Sequence, residues 1–223
     1  AVNAFRGAFE SQGQKCSAAS RAYIPSNIAE EVKKKLIAGV KSFKMGTVED
    51  FTNFINAVID EKSFINIKRY IDNAKKDPKA EIWVGGKCDS KNGWFVQPTV
   101  IQAKDPKYVS MCEEIFGPVI SIMRTKTVDE ALAIENANPY GNAASVFTQN
   151  GAMARYIIDH ASAGMIGVNV GVPVPREPFS FGGWNESKFG VGDITGKSSI
   201  EFWTKLKKST TKWNAEAGVN WMS

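Results

Sequence analysis

Short apolar runs alternate with amphipathic helical stretches along this chain, and that alternation restricts its fold more than any other feature. Ile28, Val32, Leu36 and Val40 stand at helical spacing, with Asn27 and Glu30 placed as a capping box ahead of them. A second amphipathic stretch carries Phe64, Ile67, Ile71 and Ala74 and is stopped by Asp77 and Pro78. Residues 81–84 read as a strand closed by Gly85 and Gly86, Asn92 and Gly93 as a turn, and Phe95, Thr99, Val100 and Ile101 as further strand. Then come a buried strand at 119–123, a helix opened by Thr127 and Glu130 and ended at 138–141, and a strand at 144–148. A helix at 152–160 and a strand at 165–170 complete the pattern. Strands separated by such helices imply an α/β fold: an open, largely parallel twisted sheet flanked by helices.

The texture changes after residue 170. The stretch 171–192 holds Pro173, Pro175, Pro178 and several glycines, a long loop of the kind retained for function. From Ile200 to Trp213, Phe202, Thr204 and Leu206 alternate with Lys205 and Lys207, which predicts a C-terminal extended strand in need of a partner. The division is therefore 1–199 for the main domain and 200–223 for a tail.

Composition removes several classes. A chain of 223 residues with 43% hydrophobic content buries a sizeable core, which excludes disorder and mini-protein scaffolds. No apolar run approaches the roughly 20 residues of a membrane helix. The chain opens at Ala1 and reads as a piece of something longer. Lys and Arg number 28 against 23 Asp and Glu, for a net charge of +5. These charges are spread over several helices, with a cluster at Lys205, Lys207, Lys208 and Lys212, so solvated faces explain them and nucleic acid is not an expected partner. Three cysteines without paired spacing fit a reducing cytoplasm or matrix rather than a disulfide framework. His160 is the single histidine, so no Cys/His metal cluster forms.

Chemistry then rests on three places. Cys16, beside Lys15 and ahead of Ser17 and Ala18, has a cation and backbone amides within reach to favour a thiolate, although by its local sequence alone it reads first as a small buried filler. Cys88 and Cys112 have less around them to activate a thiol. Glu113 and Glu114, before Ile115, Phe116, Gly117 and Pro118, read as ligand-binding carboxylates or as charge at a helix end. Arg176, in the Pro-rich loop, reads as a clamp for a substrate carboxylate or as a loop ion pair. Gly-rich phosphate motifs are missing, and Gly182 with Gly183 reads as a tight turn.

Taken together, the run from Phe9 to Ser17, the run from Glu113 to Val119, and Phe181, Gly182 and Gly183 resemble the signatures of the aldehyde dehydrogenase superfamily's catalytic domain, in the family's order. Up to about Glu113 the wording is similar to pyrroline-5-carboxylate (glutamate semialdehyde) dehydrogenases, through residues 12–20, 57–64 and 85–89. From about Ile120 it is similar to methylmalonate-semialdehyde dehydrogenases, through residues 138–142, 167–170 and 173–175. The change of likeness at the shared segment suggests a chimera, engineered or recombined.

The resemblance implies that Cys16 is the nucleophile, attacking an aldehyde and passing through a thioester. It implies that Glu114 and Phe116 contact the nicotinamide ribose of NAD or NADP and that Phe181 borders the substrate, a carboxylate-bearing semialdehyde, for which Ser17 and, by its loop context, Arg176 are the further candidates. Coenzyme A is the alternative to water for release in the methylmalonate branch. It also implies a tail strand that crosses to another subunit, giving a homo-oligomer, in the cytoplasm or the mitochondrial matrix. Against the family pattern, the dinucleotide-binding domain, the general-base glutamate and the oxyanion-hole asparagine are not in this sequence. The expectation is an oxidoreductase domain with negligible turnover by itself, and the alternative is a non-catalytic module that keeps only the scaffold.

Overall fold

The computed structural model describes residues 1–213. Helix α1 (Val2–Phe9) runs into a 3₁₀ turn (Glu10–Gly13) and, past Cys16, into strand β1 (Arg21–Pro25). Helices α2 (Ala29–Ser42) and α3 (Glu61–Lys76) follow, then strands β2 (Ala80–Val84), β3 (Cys88–Asp89), β4 (Phe95–Val96) and β5 (Thr99–Ala103). The short α4 (Val109–Cys112) precedes β6 (Val119–Thr125) and α5 (Val128–Asn136). After them come β7 (Tyr140–Gly141), β8 (Ala143–Val146), α6 (Gly151–His160), β9 (Met165–Val168), β10 (Trp184–Asn185) and α7 (Ser198–Trp203).

The main sheet has the order β1–β6–β5–β2, with β1–β6 and β6–β5 parallel and β5–β2 antiparallel. Both faces of this sheet are covered, which is why residues 119–123 of β6 are all buried, Ser121 included, instead of alternating. Val119 and Met123 pack on one side with Phe64, Ile67 and Ile71 of α3. Ile120 and Ile122 pack on the other with Phe5 and Phe9 of α1 and Leu36 of α2. Ile67, Ile71, Ile101, Ile120 and Ile122 are all fully buried, and each contributes about 1.5–3 kcal/mol of apolar transfer free energy. The outcome is helix, sheet, helix, as the alternation predicts.

Helix starts follow the sequence where a short polar side chain is available. The Asp60 carboxylate accepts the Ser63 N–H at 2.7 Å, Thr127 Oγ1 accepts the Glu130 N–H at 3.1 Å, and Asn150 Oδ1 accepts those of Ala152 and Met153 at 2.9 and 3.1 Å. The expected Asn27 cap is absent. The chain leaves β1 through a turn closed by Ile28 N–H to Pro25 O, so Ile28 takes the cap position without a side-chain bond, and Glu30 pairs with Arg124 at 2.7 Å.

The tail also departs from expectation. Residues 198–203 form α7, and none of 204–213 pairs as a strand. Phe202 and Leu206 satisfy helical as well as alternating spacing, and among the described residues no sheet edge receives this segment. Trp203 is 72% and Leu206 84% exposed.

Candidate active-site cleft

Three strands begin at one place. Arg21, Val119 and Ala143, the first residues of β1, β6 and β8, all line a cleft of about 350 Å³. The cleft therefore lies at the N-terminal ends of these three strands, where the connecting segments carry the sequence-predicted residues.

Cys16 stands exposed on a turn closed by the Ala18 N–H donating to Lys15 O at 3.1 Å. The backbone ahead of it is left-handed at three consecutive residues, Ser11, Gln12 and Gly13, with φ of 54°, 58° and 65°. Two glutamines anchor this stretch. Gln12 Oε1 accepts the Asn56 N–H and Gln14 Oε1 accepts the Ile59 N–H, both at 3.1 Å. The turn leads directly into β1, so no helix N-terminus supports Cys16. Lys15 Nζ is committed to Glu10 Oε2 at 2.9 Å, and that contact holds the Glu10 carboxyl below its ordinary range. The activation expected from Lys15 is thus shared with a carboxylate.

The structure brings Cys16, Ser17, Glu114, Phe116 and Phe181 to the same cleft. Ser17 is buried beneath it, whereas Glu114 and Phe116 are exposed at it. Phe116 has a φ of 58°, and the chain then turns through Gly117 into β6. Glu113 points away, its Oε2 accepting the Tyr70 hydroxyl at 2.5 Å. The Phe181 N–H donates to Thr195 Oγ1 at 2.9 Å. A Cβ on the adjacent Gly182 would stand 2.0 Å from Asp193 Oδ1, so a side chain there would displace that carboxylate.

Arg176 is not brought in. It is exposed in the loop, its carbonyl accepting the Phe179 N–H, and it does not line the cleft. Cys88 and Cys112 lie elsewhere: burial pushes the Cys88 thiol up, and Cys112 Sγ lies 3.7 Å from Pro106 O. His160 ends α6, with Nδ1 2.7 Å from Tyr156 O. Among the described residues no group of three potential metal ligands exists, and no helix is long and apolar enough to cross a membrane.

Three lining residues were missed in the sequence. Arg21 lines the cleft, and its Nη1 lies 3.5 Å from Met111 O. Glu135 lines it too; its Oε2 is buried without a hydrogen-bond partner, and burial raises its carboxyl above the ordinary range. Asn142 donates from Nδ2 to the Cys16 carbonyl at 2.8 Å, across 126 residues of chain. Residues 138–142 had drawn notice as a family likeness, but nothing local pointed to a contact with Cys16.

A carboxylate at Glu114 beside the apolar Phe116 ring suits a sugar diol next to a flat heteroaromatic ring, so these residues fit a nicotinamide ribose. The sequence profile described as "Aldehyde dehydrogenase family" matches residues 1–209. A mitochondrial delta-1-pyrroline-5-carboxylate dehydrogenase of Dictyostelium discoideum is 49% identical over 208 residues, covering 88% of this chain and 36% of that protein. Malonate-semialdehyde dehydrogenase 2 of Geobacillus kaustophilus is 35% identical over 208 residues, covering 92% and 43%. The crystal structure of methylmalonate-semialdehyde dehydrogenase from Oceanimonas doudoroffii superposes with a TM-score of 0.91 at 34% identity, over 96% of this chain and 45% of that one. An NAD+ complex of an aldehyde dehydrogenase from Bacillus cereus gives 0.86 at 28%, over 92% and 41%. The chain thus spans less than half the length of each of these proteins. Matches to 88% and 92% of the chain necessarily run across 113–119, so the two likenesses are not confined to separate halves.

Proposed function

Because this chain belongs to the aldehyde dehydrogenase family, we propose that it is the cysteine-bearing catalytic part of an NAD(P)-dependent enzyme that oxidises a carboxylate-bearing semialdehyde. Residues 1–199 form this part, 200–223 serve association between copies, and a dinucleotide-binding part comes from elsewhere in a longer protein. The observation that carries the reading is the convergence of Cys16, Ser17, Glu114, Phe116 and Phe181 on one cleft. The names of the malonate- and methylmalonate-semialdehyde dehydrogenases support a semialdehyde substrate, and Arg21, which lines the cleft, is the candidate for the positive charge that Arg176 does not bring.

The Cys16 thiolate adds to the aldehyde carbon, forming a C–S bond while the carbonyl electron pair moves to oxygen. The Cys16 backbone N–H stabilises that oxyanion, and the neighbouring Ser17 holds the turn beneath the substrate. Glu114 and Phe116 would hold the ribose and the flat ring of the cofactor. NAD(P)+, when bound, would supply the acceptor for the hydride that leaves this carbon as the oxyanion's electron pair re-forms the carbonyl, which gives the thioester. Water or the thiol of coenzyme A then attacks the acyl carbon, the C–S bond breaks, and Cys16 leaves as thiolate.

Alkylation of the three thiols at neutral pH tests the proposal. Cys16 reacts faster than Cys88 and Cys112, and glutamate semialdehyde or methylmalonate semialdehyde protects it alone. The chain by itself produces no more NADH than its Cys16→Ala variant. Equal, slow labelling of all three cysteines without protection would sink the reading and leave a non-catalytic scaffold.

A further inference from the structure

We infer that Asn142 is a positioning residue for the Cys16 thiol, acting through the Cys16 carbonyl; this rests on the reading of Cys16 as the nucleophile. The bond from Asn142 Nδ2 to Cys16 O is 2.8 Å long. Its acceptor belongs to the peptide between Cys16 and Ser17, the central peptide of the turn that Ala18 N–H closes on Lys15 O. That closing bond holds the two ends of a turn but not its central peptide, whose rotation interconverts the common turn types. The peptide is planar, so fixing the carbonyl oxygen also fixes the Ser17 N–H and the backbone on which the Cys16 side chain stands. Asn142 is the only side chain whose hydrogen bond to this carbonyl appears among the described residues.

The arm that holds Cys16 is itself anchored. The Met165 N–H donates to Asn142 O at 3.2 Å, the Gly164 N–H to Gly141 O at 2.9 Å, and the Gly141 N–H to Ser187 Oγ at 3.1 Å. β8 begins at the next residue, with Ala143 opposite Met165 of β9. Gly183 closes behind: a Cβ there would stand 3.1 Å from Asn142 Oδ1. Gly183 thus lies close against Asn142 and Ser187, and a side chain there would press on both by a few tenths of an ångström.

The test uses this chain with Asn142→Asp, which keeps the shape and removes the donor, Asn142→Leu, and Asn142→Gln, which restores a donor on a longer arm. Amide hydrogen exchange at Ser17 reads the peptide, and the iodoacetamide rate of Cys16 relative to Cys112 reads the thiol. The Asp and Leu variants speed exchange at Ser17 by about fivefold and shift the Cys16 to Cys112 ratio by about threefold or more, the scale of one lost hydrogen bond. The Gln variant returns both towards the wild type. Faster exchange with an unchanged ratio would leave Asn142 merely structural and overturn the inference, as would no change in either. A wild-type Cys16 that labels no faster than Cys112 removes the nucleophile reading and the positioning role together. A selectively reactive Cys16 that ignores Asn142 removes the positioning role alone.

Discussion

A methyl group on Gly13 would stand 2.3 Å from the carbonyl oxygen of Gly117. The two glycines bring the Cys16 segment and the Glu114–Phe116 segment into backbone contact, and each is hemmed in on another side. The Ala8 carbonyl lies 2.6 Å from the same Gly13 position, and Ile67 Cδ1 lies 2.4 Å from a Cβ built on Gly117. Cys16 and Glu114 therefore share a cleft because nothing larger than hydrogen separates their loops.

Gly13→Ala meets both the clash and a φ of 65°. The variant loses about 2 kcal/mol or more, read as a melting temperature lower by about 4–8 °C. A variant that melts with the wild type would show that the two loops separate freely.

Arg21 and Arg176 make opposite predictions. Arg21 lines the cleft and Arg176 does not. Arg21→Ala abolishes the protection of Cys16 by a semialdehyde bearing a carboxylate, while Arg176→Ala leaves it intact. Equal loss in the two variants would return Arg176 to the site.

Glu135 gives a pH-dependent stability. Burial raises its carboxyl above the ordinary value, so the fold favours the protonated form. That contribution is present below the unfolded carboxylate value of about 4.3 and is lost as pH rises through the folded value. Glu135→Gln accordingly raises the urea midpoint at pH 7, and its advantage shrinks towards acid. An advantage that is constant across pH would place the effect outside this titration.

Asn150 accepts two backbone N–H groups at the start of α6. Asn150→Ala costs about 1 kcal/mol, and Asn150→Asp retains most of the cap. The urea midpoints of the two variants separate these outcomes.

The tail leaves Trp203, Leu206 and Trp213 at 72%, 84% and 91% exposure. Apolar side chains exposed in series mark a surface that associates. Light scattering across a concentration series shows a mass rising above the 24.4 kDa monomer, and the pair Trp203→Asp and Leu206→Asp returns it to the monomer value. A constant monomer mass in the wild type would rule out association through this segment.

Much of the fold was legible because local signals and burial agree. Ile67 and Ile71 follow the helical period and face the core, and Thr127 and Asn150 cap where their side chains permit. The Asn27 cap failed because the exit turn from β1 set the helix start at the next residue, and residues 204–213 carry no strand where, among the described residues, no sheet edge receives them. In the site, Cys16, Glu114, Phe116 and Phe181 were reached through motifs. Arg21, Glu135 and Asn142 were not, since Arg21 enters from β1, Glu135 from α5 and Asn142 from the link between β7 and β8, and nothing local ties any of them to the Cys16 segment. Arg176 shows the converse, an attractive local context that the loop carries away from the cleft.

The pairing of β1 with β6 sets Arg21 against Ser121 in parallel register, with the Ser121 N–H already donating to Ser20 O at 2.9 Å. A slip of one residue along a strand is about 3.3 Å, more than the length of the bond between Asn142 and Cys16. The spacing of the cleft is thus quantised by the sheet ladder. Loops at the far ends of these strands can lengthen or change sequence without altering it, whereas a one-residue insertion between Cys16 and Arg21 would have to be absorbed within the turn itself. Variation in this lineage is accordingly expected to collect at the opposite end of the sheet.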